Sequence, residues 1–133
     1  MLLLAAVLAL AAGSAAAERT LAEMMKQTVD PAANAFWAAG NDAPEGESKA
    51  AADARWAAAF EGAAMMREYG ELMMTTAQIR PGDWNRFAKL MADAGEAGEA
   101  AVQKRDAEAA FNAGGQLYEA CSGCHAKYIP GRS

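Results

Sequence analysis

The sequence predicts an all-α protein, an antiparallel up-down-up-down bundle of four helices. Strand-forming patterns are scarce, because alanine dominates the chain and β-branched residues are few. Three short breaks with proline, glycine or helix-capping residues divide residues 18–133 into apolar stretches of about 20 residues each. Short connections between consecutive helices favour antiparallel neighbours, and therefore the up-down-up-down order.

Residues 1–17 have the pattern of a secretory signal peptide. An almost purely apolar run, residues 1–12, is followed by small residues and by an Ala-x-Ala site that ends at Ala17. No Lys or Arg precedes the run, which departs from the usual pattern. Because the apolar run is shorter than the ~20 residues that span a bilayer, cleavage is favoured over a membrane anchor. We expect one soluble domain, residues 18–133, exported to the periplasm without a membrane span.

The charge balance excludes one class of partner. The formal net charge is −5 at pH 7. A nucleic-acid-binding protein needs clustered Lys and Arg side chains, so no nucleic-acid partner is expected. An acidic soluble protein instead fits partners that present basic patches.

The first helix has a clear start and a predicted interruption. Thr20 and Glu23 form a capping-box pattern that begins it. Pro31 lies inside its apolar stripe, so we expect a kink or a break near Asp30. Gly40 ends the helix, and the loop at residues 41–47 follows.

The second and third helices are separated by an Arg-Pro-Gly break at residues 80–82. Ser48 is the predicted cap of the second helix, which runs to about Thr76. Asp83 is the predicted cap of the third helix, which ends near Lys104 or Arg105.

The fourth helix, capped by Asp106, carries the strongest chemical signal. Cys121, Cys124 and His125 form a single Cys-x-x-Cys-His, and they are the only two cysteines and the only histidine of the chain. This string is typical of c-type haem attachment. Each thiol can add across one vinyl group of the haem, and the imidazole can serve as the proximal iron ligand. Tyr128 lies on the same helical face.

Other interpretations of the two cysteines are weaker. A zinc site needs about four ligands, and no further Cys or His completes one. A redox dithiol usually opens a helix within a βαβ unit, whereas this motif lies near the end of a helical stretch. A disulfide between residues three apart closes almost no loop and stabilises little.

The predicted topology also brings a methionine to the other side of the haem. The end of the fourth helix lies beside the start of the first, so Met24 and Met25 would face His125. Met25 shares a stripe with Leu21 and Val29 and should point inward, while Met24 is offset by about 100°.

Methionine is also a common core filler, and this alternative accounts for most of the others. Seven of the eight methionines follow residue 17. Met73 and Met74 lie near the same end of the predicted bundle and are rival ligands on geometry alone. A methionine-rich copper(I) site is a further, less favoured alternative.

The pattern Cys-x-x-Cys-His-x-x-Tyr at the end of the last of four helices, behind a signal peptide, resembles the cytochrome c′ family. The resemblance includes its six-coordinate low-spin branch, the cytochrome c-556 type. It covers residues 18–133 loosely and residues 106–128 closely. It implies a four-helix bundle with one haem c bound at Cys121 and Cys124 and with His125 as the proximal ligand.

The same resemblance implies a sixth ligand. Low-spin members have a methionine early in the first helix, and high-spin members have an apolar side chain that does not bind iron. The stretch at residues 23–26, Glu-Met-Met-Lys, resembles the low-spin pattern and implies Met25, with Met24 as the alternative. The chain departs from many members at Ile129, where they have a basic residue.

Two functions remain. One is an electron carrier with His125 and Met25 on the iron, which meets redox partner proteins. The other is a five-coordinate protein that binds NO or CO. An enzyme is not expected, because the only histidine is committed to iron and no general base remains.

Two further expectations concern packing. Trp56 is the best candidate to pack on the haem edge, whereas Trp37 and Trp84 are expected to anchor the core or an interface. Members of the family often dimerise through their first two helices, so the resemblance leaves both a monomer and a homodimer open.

Overall fold

The computed structural model describes residues 20–75, 78–129 and 131. This part of the chain contains helices and no strand, which confirms the all-α prediction. It contains no helix long and apolar enough to cross a membrane. The predicted signal peptide, residues 1–17, lies outside the described residues.

The first helical stretch consists of three segments with different hydrogen bonding. These are α1 (Leu21–Met24), a π-helical segment (Met25–Val29) and α2 (Asp30–Gly40). The predicted capping box is present, because the Thr20 hydroxyl accepts from the backbone N–H of Glu23 and the Glu23 carboxylate accepts from that of Thr20.

The predicted break takes the form of this π turn, immediately before Pro31. Proline has no N–H to donate to the carbonyl four residues back, so the regular α-helical ladder is interrupted there. The N–H of Asp30 donates to the carbonyl of Met25, five residues back, as in a π-helix. Pro31 then occupies the first turn of α2, where a missing N–H costs nothing.

Three longer helices follow, α3 (Lys49–Met73), α4 (Trp84–Gln103) and α5 (Ala107–Tyr128). The caps predicted for α3 and α5 are present, since the side chains of Ser48 and Asp106 each accept a backbone N–H three residues on. Asp83 is the first residue before α4, as predicted, but its side chain makes no capping hydrogen bond.

The four long helical stretches pack as a bundle. α3 contacts α4 and α2, and α5 contacts α4 and α2, so each has two neighbours. Phe36, Met66 and Leu117 are the largest fully buried side chains. Gly70 lets α3 approach α4 closely, because a Cβ at this position would lie 2.5 Å from the backbone nitrogen of Ala92.

Candidate cofactor-attachment site

The Cys-x-x-Cys-His sequence at residues 121–125, here called the attachment motif, lies on the last two turns of α5. Cys121, Cys124 and Tyr128 are half-buried and pack against the core of the bundle. Both thiols are free. Because α5 is continuous from its cap to Tyr128, the helix brings both sulfurs and the imidazole of His125 to one face, as the spacing predicts.

The two thiols are in an environment that keeps them protonated. Burial, with a smaller contribution from neighbouring Cys124, raises the pKa of Cys121 to about 11. Burial also raises the pKa of Cys124 above its ordinary value. A reactive dithiol or a thiolate metal ligand has a lowered pKa, as at a helix N-terminus, whereas these thiols lie at the opposite end of a helix. The electrostatics therefore oppose the redox-dithiol interpretation.

His125 has a side chain that is available to a ligand. It is half-buried, and its backbone carbonyl accepts the N–H of Ile129 at 2.8 Å. Within residues 20–75, 78–129 and 131, no hydrogen bond holds its imidazole.

A phenyl ring closes the space beside the motif. A Cβ on Gly123, between the two cysteines, would lie 2.5 Å from Cε1 of Phe87 in α4. The absent side chain therefore lets the ring of Phe87 contact the backbone of the motif. Phe87 and Gly123 belong to different helices, so no local sequence pattern connects this ring with the cysteines.

The loop before α4 and the first residue of that helix, Trp84, hold the end of α5 in place. The ring of Tyr128 meets Trp84 edge-on, with ring centroids 5.1 Å apart and an interplanar angle of 86°. Its hydroxyl donates to the carbonyl of Pro81 at 2.5 Å. The indole N–H of Trp84 in turn donates to the carbonyl of Met73 at 2.6 Å.

An ion pair adds to these contacts. Lys127 binds the carboxylate of Asp83 at 2.6 Å, and this hydrogen bond lowers the pKa of that carboxyl. The predicted topology places the start of the third helix beside the end of the fourth. This expected adjacency of the two helix ends could have identified Asp83 and Trp84 as neighbours of the motif.

The structure reverses the predicted order of burial for the two methionines of the first helix. Met24 is 9% exposed, whereas Met25 is half-buried and packs against the core. The π turn is the reason: it aligns Val29 with the residue five positions back, Met24, rather than four back. The π segment contacts α2 and α3.

The rival methionines lie at the end of α3. Met73 is buried, and its carbonyl is bonded to Trp84, which contacts Tyr128. Met74 is half-buried against the same core. Both therefore remain candidate neighbours of the attachment motif.

Trp56 lies away from the motif, so its predicted place on the haem edge receives no support from the contacts. The guanidinium of Arg55 lies 5.4 Å from its ring and donates to the carbonyl of Ala38, near the end of α2. Asp53, one turn before Trp56 in α3, pairs with Arg105, which lies two residues before the start of α5. The cysteines lie about 20 Å further along α5. No local sequence pattern indicates the level of Trp56 along the bundle.

Among the described residues, no three His, Cys, Asp or Glu side chains come together as a metal site. Comparisons with protein-family models, with curated proteins and with solved structures find no match to this chain.

Proposed function

We propose that this protein is an exported c-type cytochrome that carries one electron at a time in the periplasm. One haem c is bound through Cys121 and Cys124, and its iron is held by His125 and by a methionine of the first helical stretch. The observation that carries the proposal is the common face of α5, which presents two free thiols and an imidazole without a hydrogen-bond partner among the described residues.

The donor set fits this group. Two protonated thiols can each add to a vinyl group, an imidazole can bind iron, and a thioether can complete the coordination. When bound, the haem supplies a reversible one-electron couple. The chain would supply the rest: the cysteines would fix the group against α5, His125 would bind the iron, and the apolar core against which Cys121, Cys124 and Tyr128 pack would lie beside it.

We infer an antiparallel, up-down-up-down order of the helices. Two contacts between α2 and α5 support it. The indole N–H of Trp37 donates to the carbonyl of Gly114 at 2.9 Å, and Gly40 approaches the backbone of Phe111. The later residue of α2, Gly40, therefore meets the earlier residue of α5, Phe111, as expected for two helices that run in opposite directions. In this order the methionines of the first helical stretch and the end of α5 belong to the same end of the bundle.

The alternative is a five-coordinate protein that binds NO or CO. It differs from the electron carrier in a single feature, the absence of a methionine on the iron. The spectrum of the ferric protein separates the two, because methionine ligation gives a low-spin spectrum with a weak charge-transfer band near the red edge.

The test of haem attachment uses the full chain, produced in an export-competent host that has haem-attachment machinery. We expect one haem that stays with the polypeptide through acid-acetone extraction. In Cys121→Ala/Cys124→Ala the haem should be lost or extractable. Ser122→Ala is the matched control, because among the described residues this exposed hydroxyl donates a hydrogen bond only to the carbonyl of Tyr118. If the wild-type protein from this host holds no covalent haem, the proposal is wrong.

A further inference from the structure

An aromatic groove runs between α2 and α5. Its volume is about 500 Å³, and it opens to solvent. Phe111 and Tyr118 line it and are 62% and 64% exposed, more than any other large hydrophobic side chain that the structure describes. Gly114 and Gly115 contribute only backbone to its lining. The groove residues are Asn34, Trp37, Asn41, Ala110, Phe111, Gly114, Gly115 and Tyr118.

Acidic side chains without ion-pair partners surround the groove. Four of them are exposed and lie one turn from a groove residue or directly beside one: Asp30, Asp42, Glu108 and Glu119. None of the four forms an ion pair with a residue that the structure describes.

Cations are almost absent from the two helices that form the groove. α2 contains no Lys or Arg, and α5 contains only Lys127, which is paired with Asp83. Lys26 and Lys104 lie four residues before Asp30 and Glu108 but form no ion pair with them, and Arg105 is paired with Asp53 in α3. The groove is therefore aromatic at its centre and negative at its rim.

The groove reaches the attachment motif. Tyr118 lies three residues before Cys121, and its carbonyl accepts the hydroxyl of Ser122 at 2.7 Å. One helical turn thus separates the end of the groove from the first thioether position. A protein bound in the groove would lie beside the proposed haem.

We propose that this groove docks a basic redox protein. Lys or Arg side chains of the partner lie over the rings of Phe111 and Tyr118, while the carboxylates around them attract the same cations. In the bound pair the proposed haem would supply one electron: its ferrous form would be oxidised to ferric, and the oxidised centre of the partner would be reduced by one electron. The inference rests on the proposed function for its redox step but not for its docking step.

The docking step is tested with an octa-arginine peptide and the purified protein. The peptide should shift the side-chain NMR signals of Phe111 and Tyr118, and the shifts should decline as salt is added. Phe111→Gln/Tyr118→Gln and Glu119→Gln should weaken binding. Glu96→Gln is the matched control, because it removes one exposed carboxylate from α4 and should leave binding unchanged.

The redox step is tested with two small oxidants of opposite charge. Tris(phenanthroline)cobalt(III) is an aromatic cation, and hexacyanoferrate(III) is an anion; each takes one electron from the ferrous protein. The ratio of the cobalt rate constant to the hexacyanoferrate rate constant should fall about two- to threefold in Glu119→Gln. It should stay near the wild-type ratio in Glu96→Gln, although both variants lose the same charge.

Three results would overturn the inference. The first is an equal effect of Glu119→Gln and Glu96→Gln on both readouts. The second is a peptide that shifts signals on α3 or α4 instead of those of the groove. The third is self-association without peptide that Phe111→Gln/Tyr118→Gln abolishes, because a second copy would then occupy the groove. If the purified protein holds no haem, the oxidant rates cannot be measured and the proposed function is refuted. The peptide titration then still decides whether the groove docks a basic partner.

Discussion

The π turn decides which methionine is the more enclosed. On a regular helix Met25 would share the inward stripe of Val29, but the wider turn puts Met24 there instead. Met25 keeps contact with the core at its edge. The two residues are therefore closer rivals for the iron than the sequence pattern indicates.

Single substitutions distinguish these ligands. We predict that Met25→Ala converts the ferric protein from low spin to high spin and opens it to CO or NO, because the thioether is removed from the iron. Ultraviolet-visible spectra and CO binding measure this. Met73→Ala and Met74→Ala should leave the spin state unchanged, as should Met65→Ala on the exposed surface of α3.

Two other outcomes revise the assignment. Conversion by Met24→Ala instead of Met25→Ala moves the ligand by one residue and keeps the function. A wild-type ferric spectrum that is already high-spin, with fast NO binding by the ferrous form, contradicts methionine ligation and favours the gas-binding alternative.

A second residue-scale prediction concerns Glu47, which joins the loop before α3 to that helix. Arg55 binds both carboxylate oxygens, at 2.7 and 2.9 Å, and these hydrogen bonds hold the pKa of Glu47 below its ordinary value of 4.5. The charged carboxylate therefore stabilises the fold above pH 4.5, and this stabilisation is lost as the pH falls through the lowered pKa.

The measurement is the thermal midpoint of Glu47→Gln and of the wild type across this range. The gap between them should be widest at neutral pH and should narrow below pH 4.5. Glu45→Gln, two residues away and exposed, is the control and should show little gap at any pH. A gap for Glu47→Gln that does not change with pH contradicts this account.

At the scale of elements, the helix starts could be predicted because capping is local. Thr20, Ser48 and Asp106 each bind a backbone N–H three residues on, so the sequence contains both partners. Asp83 instead pairs with Lys127, 44 residues away, and no local pattern indicates this contact. The Cys-x-x-Cys-His motif is equally visible in the sequence. The contacts of Trp84 and Phe87, in contrast, depend on which helices meet and at what level along the bundle.

The close approach of α3 and α4 yields an element-scale prediction. Gly70→Ala should destabilise the fold by about 1–3 kcal/mol, because the new methyl group would overlap the backbone of Ala92. Gly115→Ala is the control: its Cβ meets nothing within 4 Å, so the better helix former should stabilise by about 0.5–1 kcal/mol. Chemical denaturation measures both. Equal effects at the two positions contradict the packing argument.

At the scale of the whole molecule, the negative charge lies in the part of the chain that we propose is exported. The formal net charge of −5 lies entirely outside residues 1–17, which contain no charged side chain. We predict that the exported protein begins at Glu18, since the Ala-x-Ala site precedes it. Intact mass spectrometry of the periplasmic fraction measures this, and an exported protein that retains Met1 would restore the membrane-anchor interpretation.

The wide turn in the first helical stretch should also let this bundle tolerate a shortened chain. A π turn holds one residue more than an α turn, so removing Gln27 lets Met25–Val29 close as an ordinary helix while the residues on either side keep their faces. The ring of Pro31 then meets the carbonyl of Lys26, which lowers the stability by about 3 kcal/mol but leaves the faces aligned. The same loss at Ala97, inside α4, rotates half of a packed helix by about 100° against its neighbours. We therefore expect ΔGln27 to unfold cooperatively with near-wild-type helicity and ΔAla97 to lose its cooperative transition, as measured by circular dichroism during heating.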